Sequence, residues 1–135
     1  MLDTNVVLDL WHFDDPLARP LRHALDAGRM RCMANAATFE EWQHVLAYPE
    51  FGLTAAQQLE LRDRYHAACV FSETPPPSGV PCCADRDDQK FLDLAASLRI
   101  PLVSKDRKVL KLRRACKALF PVLTPAEAVR WLQEN

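Results

Sequence analysis

Short apolar runs alternate with amphipathic stretches along this chain, and that alternation is how an α/β protein with a parallel sheet reads. Residues 1–3 read as the end of a buried strand, followed by a helix to about residue 10. A second helix is expected over 16–27, with Gly28 as its stop. A strand follows over 30–34, then a helix over 37–47 ended by the Pro49 region. Thr54 caps the next helix, where Thr-x-x-Gln fits a capping box. Residues 67–71 read as a third strand and 74–83 as a Pro-rich loop too rigid for a helix. Residues 87–98 form a helix, 101–104 a fourth strand, 107–117 a helix and 120–123 a short fifth strand. Thr124 caps a last helix with Pro125 at its first position. The expectation is a parallel sheet with the first strand central and helices on both faces.

The 135 residues point to one domain spanning 1–135, and 49% hydrophobic content is enough for one sizeable core. A net charge of −1 does not announce a nucleic-acid binder, so a polyanion would need a local basic patch or a metal. The five cysteines (Cys32, Cys69, Cys82, Cys83, Cys116) are odd in number, irregular in spacing and without a CxxC pair. That argues against a disulfide framework or zinc site and for a reducing cytoplasm. No apolar run approaches the roughly 20 residues of a membrane span, and no secretory signal pattern opens the chain. A central strand needs about five residues, yet only Met1 and Leu2 precede Asp3. An α-ammonium in mid-sheet would be a poorly solvated charge. The natural start is therefore expected upstream, or added residues extend the strand.

In open parallel sheets, ligands bind beyond the carboxyl ends of the strands, and here acids gather there. Asp3 and Asn5 follow the first strand, Asp85, Asp87 and Asp88 the third and its loop, and Asp106 the fourth. Each acid has a plainer reading. Asp3 and Asp106 are natural helix caps, and Asp88 is a first-turn acid favoured by the helix dipole. Helical phase separates some of them. At about 100° per residue, Phe39, Trp42, Val45 and Leu46 form one apolar face, with Glu41 on its flank and Glu40 turned to water. Asp88 falls on the face of Phe91, Leu92, Ala95 and Leu98, whereas Asp93 falls opposite and reads as solvated. Asp87 reads as a cap and Asp85 as an outer ligand or a support behind the ligands. Crowded carboxylates stay ionised only beside a cation, and oxygen donors without Cys or His select Mg²⁺ or Mn²⁺. Such ions hydrolyse phosphodiesters. The four histidines (His12, His23, His44, His66) show no ligand spacing.

Leu-Asp-Thr-Asn-Val-Val-Leu at the start, Glu-Glu-Trp-Gln-His-Val-Leu-Ala-Tyr-Pro-Glu-Phe over 40–51 and Asp-Arg-Asp-Asp-Gln-Lys-Phe-Leu-Asp-Leu-Ala over 85–95 come in a telling order. With Leu-Val-Ser-Lys-Asp and Leu-Thr-Pro-Ala-Glu after them, they resemble the motifs of the PIN-domain family, specifically its toxin branch from toxin–antitoxin pairs. The resemblance implies a three-layer α/β/α sandwich with a four- to five-stranded parallel sheet, and Mg²⁺- or Mn²⁺-dependent RNA cleavage. It implies Asp3, Glu41, Asp88 and Asp106 as catalytic and metal-holding acids, with Asn5 and Ser104 as polar supports and Asp85 beside them. It also implies RNA as substrate, a cognate antitoxin protein and a homodimer as expectations. The helical phase selects Glu41 and Asp88 independently. Lys105 departs from the family's small residue before the last acid; a cation there could bind phosphate or lower metal occupancy.

Seven basic residues fall between Lys105 and Lys117. The plainer reading is a solvated face; the functional one is a phosphate track of Lys105, Arg107, Lys111 and Arg114 beside Asp106. Other enzymes with an Asp after the first strand fit less well. A haloacid-dehalogenase-type phosphatase needs a second Asp where Asn5 stands, and a response-regulator receiver needs an acid pair near the first strand. The alternative from a different class is a catalytically inactive PIN-like fold serving as an RNA-binding or protein-partner module, against which the presence of all four acids counts.

Overall fold

The computed structural model describes residues 1–135. Extended segments run through its middle, and helices cover both sides. The first residues lie along β3 (Leu102–Val103): Val103 N–H donates to Met1 O at 2.9 Å and Asp3 N–H to Val103 O at 3.0 Å. Leu2 thus stands opposite Val103 in parallel register. The Met1 ammonium donates to Pro101 O at 3.0 Å, and burial lowers its pKa. On its other edge β3 pairs, again in parallel, with β4 (Val122–Leu123). β1 (Cys32–Ala34) and β2 (Cys69–Phe71) make a second parallel pair.

The parallel sense follows the expectation, but the two groups of strands are not joined into one four- to five-stranded sheet. A cavity of ≈ 270 Å³ lies where they would meet, and Cys32 and Met33 border it together with Met1, Leu2 and Val103 instead of pairing with them.

Two apolar cores lie on opposite sides of the extended segments. One gathers Val6, Leu21, Trp42 and Tyr65 from α1 (Thr4–Trp11), α2 (Arg19–Asp26), α3 (Ala36–Leu46) and α4 (Ala55–Ala68), with Ala128 of α8 (Pro125–Glu134). The other gathers Phe91, Leu92 and Leu94 of α5 (Gln89–Leu98), Val109 of α6 (Arg107–Leu110) and Cys116 of α7 (Arg113–Cys116). Leu2 and Val103 enter the first core, Met1 and Leu102 the second. That is the two-residue alternation of extended chain, and it makes the molecule layered α/β.

The helix signals hold where side chains complete the caps. Thr54 with Gln57 and Thr124 with Glu127 form capping boxes, and Asn35 with Thr38 forms a third. Several boundaries differ from the sequence pattern. The strands expected over 30–34, 101–104 and 120–123 are shorter, and the helix expected from 87 begins at Gln89 after a 3-10 turn over Arg86–Asp88. The second helix begins only at Arg19, not at 16. Ala67 and Ala68, from the best helix-forming residue type, stay in α4, so β2 starts at Cys69. The single helix expected over 107–117 is two short helices broken at Leu112. Leu110 and Leu112 would stand about 200° apart on one straight helix, and the break lets both pack on the second core. All five cysteines are free thiols. No helix is long and apolar enough to cross a membrane.

Candidate active site

A pocket of ≈ 270 Å³ is lined by Asp3, Glu41, Glu50, Asp85, Asp87, Asp88 and Asp106, together with Thr4, Asn5, Val45, Tyr48 and Phe51; no cation lines it. The acids come from four separate stretches of sequence. Asp3 follows the first extended segment and caps α1, and Asp106 follows β3 and caps α6. Glu41 projects from α3, and Asp88 stands at the junction of a 3-10 turn (Arg86–Asp88) with α5.

Capping and pocket-lining coexist in the same side chains. Asp3 Oδ1 accepts from Thr4 N–H at 2.7 Å, while its Oδ2 accepts from Ser104 Oγ at 2.7 Å. Ser104 is fully buried and also accepts from Asp106 N–H at 3.0 Å, so one hydroxyl ties the first acid to the last. Asp106 Oδ1 accepts from Lys108 N–H at 2.8 Å, and Asp85 Oδ1 from Asp87 N–H at 3.0 Å. Asn5 is exposed and lines the pocket.

Asp88 is the least satisfied of the group. Its Oδ2 is buried without a hydrogen-bond partner. Burial first, then the charges of Asp3, Asp85 and Asp106, push its carboxyl up to about 7. Burial also raises Asp3, against the lowering effect of Ser104 and the Thr4 N–H. Glu41 has a different partner: Lys90 Nζ of α5 reaches its Oε2 at 3.1 Å.

The structure brings Asp3, Glu41, Asp85, Asp88 and Asp106 to one pocket and keeps Glu40 exposed on another surface. It corrects the reading of Asp93, which is half-buried and accepts from Gln89 Nε2 at 3.1 Å. Lys105 does not stand free beside Asp106; its ammonium pairs with the buried Asp9 at 2.5 Å. Arg107, Lys111 and Arg114 are exposed, but the break at Leu112 puts Arg114 on a different helix from Arg107. Glu50, Tyr48 and Phe51 belong to a turn, where no periodicity tells which way a side chain points. Asp87 gave only a capping signal, and nothing in the sequence linked Lys90 to Glu41.

A hard divalent cation suits this donor set: oxygen ligands only, one of them buried and unpartnered, and carboxyls whose mutual repulsion a cation would relieve. No three of the acids stand close enough to enclose an ion by themselves.

A family model described as PIN domain matches residues 1–108. No curated protein and no solved structure matches the chain.

Proposed function

The chain belongs to the PIN-domain family, whose members are generally nucleases that use divalent metal, and from that premise we propose a metal-dependent ribonuclease. The observation that carries this reading is Asp88, with an unpartnered buried carboxyl oxygen in a pocket walled by acids, of which only Glu41 is paired with a cation, Lys90. Asp3, Glu41, Asp88 and Asp106 hold Mg²⁺ or Mn²⁺, in part through waters, since hard ions of this kind keep much of their hydration. When bound, such an ion lowers the pKa of water and offsets the charge that builds on a phosphodiester. The chain's own residues do the rest. Ser104 fixes the direction of Asp3 and of the Asp106 backbone. Asp85 stands as an outer acid against Asp88, and Asn5 at the rim offers an amide to the substrate. Arg107, Lys111 and Arg114 hold backbone phosphates without reading sequence.

We read the whole chain as one PIN unit. The order of its motifs supports the role of toxin component of a toxin–antitoxin pair, with a cognate antitoxin protein and a homodimer as the partners of that reading. The absence of any three acids close enough to enclose an ion favours the second reading, a PIN fold that binds RNA or protein without cleaving.

One assay decides between them: cleavage of RNA with Mn²⁺ or Mg²⁺, with and without chelator. Asp3→Asn and Asp88→Asn abolish cleavage, Glu41→Gln impairs it, and Glu40→Gln cleaves normally. Cleavage that survives both Asp substitutions belongs to another site or a contaminant. An inert wild-type chain sinks the nuclease and leaves the binding module.

A further inference from the structure

We propose that Tyr48, Phe51 and Phe13 form a shelf on which an unpaired nucleobase stacks beside the acid pocket; the proposal rests on the nuclease reading and adds a subsite to it. Phe13 is 54% exposed and Tyr48 42% exposed, unusual for large aromatic side chains in a chain with two filled cores. They do not lie scattered. The Tyr48 and Phe51 rings are stacked at 9° with centroids 6.5 Å apart, and Phe13 meets Phe51 at 6.2 Å. The row runs from the end of α1 to the turn after α3.

That turn is rigid. Tyr48 N–H donates to Val45 O at 3.0 Å, Phe51 N–H to Tyr48 O at 3.1 Å, and Gly52 N–H to Pro49 O at 3.1 Å. Gly52 closes it at φ +59°, a conformation that side chains disfavour. The backbone that carries Tyr48 and Phe51 is therefore set before any ligand arrives, and only side-chain freedom is lost on binding.

Two of its rings, Tyr48 and Phe51, are walls of the same pocket as Asp3, Glu41, Asp88 and Asp106. A strand whose phosphodiester reaches those acids lays a neighbouring base against these rings. Every base has a π-face, so stacking is tolerant of sequence, and only an unpaired base has that face free. A protein partner would find the same apolar area, but it would gain as much from Leu as from Tyr.

The test uses the full chain in Ca²⁺, a hard ion with the same oxygen preference, and a single-stranded RNA carrying 2-aminopurine, whose fluorescence falls on stacking. The single strand binds with quenching, and the same strand in a duplex binds at least about tenfold more weakly. Tyr48→Ala weakens binding roughly five- to hundredfold, the size of one lost stacking contact. Tyr48→Phe restores it and Tyr48→Leu does not. Tyr48 is half-exposed, so its variants fold, and a matching thermal midpoint for each checks this; Phe51→Ala is read only beside that series. Wild-type binding by Tyr48→Leu, equal binding of duplex, or binding without quenching overturns the shelf. Mn²⁺-dependent cleavage is followed on the same preparations. Quenching with no cleavage by wild type sinks the nuclease and keeps the shelf, while normal cleavage with quenching indifferent to Tyr48 does the reverse.

Discussion

Lys90 Nζ lies 3.1 Å from Glu41 Oε2, across the contact between α5 and α3, with both side chains more than two-thirds buried. Of the four acids assigned to metal, Glu41 alone thus carries a counter-cation supplied by the protein. Any divalent ion at the site must share Glu41 with that ammonium and tolerate its charge. Lys90→Met is expected to tighten Mn²⁺ binding roughly three- to tenfold, the size of a screened repulsion of about 1 kcal/mol. The gain should shrink in a Glu41→Gln background, where there is no carboxylate left to release. Mn²⁺ titration followed by electron paramagnetic resonance reads this directly. Weaker binding by Lys90→Met would mean that Lys90 holds Glu41 in place for the ion instead of competing with it.

The raised carboxyl of Asp88 has a consequence for stability. Its folded value is about 7 against an ordinary 3.8. Between those values the folded state holds a proton that the unfolded state has lost, so the stability contributed by this carboxyl is fully present below about pH 4 and is lost as pH rises through about 7. Asp3, raised in the same direction, adds to the slope. Urea unfolding in chelator at several pH values should therefore show Asp88→Asn gaining on the wild type as pH rises, by about 1 to 2 kcal/mol after discounting for solvent screening. A gap between the two proteins that stays constant from pH 4 to 7.5 would refute the ionisation account. Saturating Mn²⁺ should remove the advantage of the Asn variant, because the ion stabilises only the form with its carboxylates intact.

What was legible in the sequence was whatever depends on local pattern. The three capping boxes depend on side chains three residues apart; the sequence pattern showed the one at Thr54 as a box and Thr124 as a cap. Glu41 was separable from Glu40 because burial of Trp42 fixes the rotation of α3, whereas Asp88 reaches the pocket from the 3-10 turn before α5, outside the helical phase that was read for it. Long-range pairing was not legible. Lys105 turns toward Asp9, and Lys90 toward Glu41 across 49 positions, and nothing local encodes either choice. The break at Leu112 was hidden for a related reason: both halves have helical pattern, and only the shape of the second core demands the bend. The joining of the strands into a single sheet also depends on distant partners, and the cavity beside Met1 stands where that joining would occur.

Ser104 is the support whose loss should cost most. It is fully buried, and its hydroxyl serves Asp3 Oδ2 and the Asp106 N–H together. Ser104→Ala leaves a buried carboxylate oxygen and an amide without their partner. The expected destabilisation is about 1 to 3 kcal/mol, the cost of unsatisfied buried polar groups. Thermal unfolding in chelator measures it. The same substitution should lower cleavage at saturating Mn²⁺, since Asp3 is then free to turn. Unchanged stability and unchanged rate would show that water replaces the hydroxyl without penalty.

The basic segment after Asp106 carries fewer free charges than its sequence suggests. Lys105 is committed to Asp9, and Arg113 to Glu127 and to Val122 O. Arg107, Lys111 and Arg114 remain exposed with no acidic partner within the chain, on two short helices that diverge at Leu112. If they hold RNA phosphates, each contributes to the release of counterions from the strand. For single-stranded nucleic acid the slope of log affinity against log salt is about −0.7 per neutralised phosphate. Replacing all three with Ala should therefore flatten that slope by about 2 and weaken binding at low salt far more than at high salt. Lys105→Ala should behave differently. Its main effect is to strand the buried Asp9 carboxylate, so it should lower stability while leaving the salt slope close to wild type. Fluorescence anisotropy of a labelled single-stranded RNA across a salt series, with thermal unfolding of each variant beside it, separates the two. A triple variant with the wild-type slope would mean that the phosphates lie on another face, and a Lys105→Ala slope reduced by about 0.7 would put Lys105 back on the RNA path despite its pairing with Asp9.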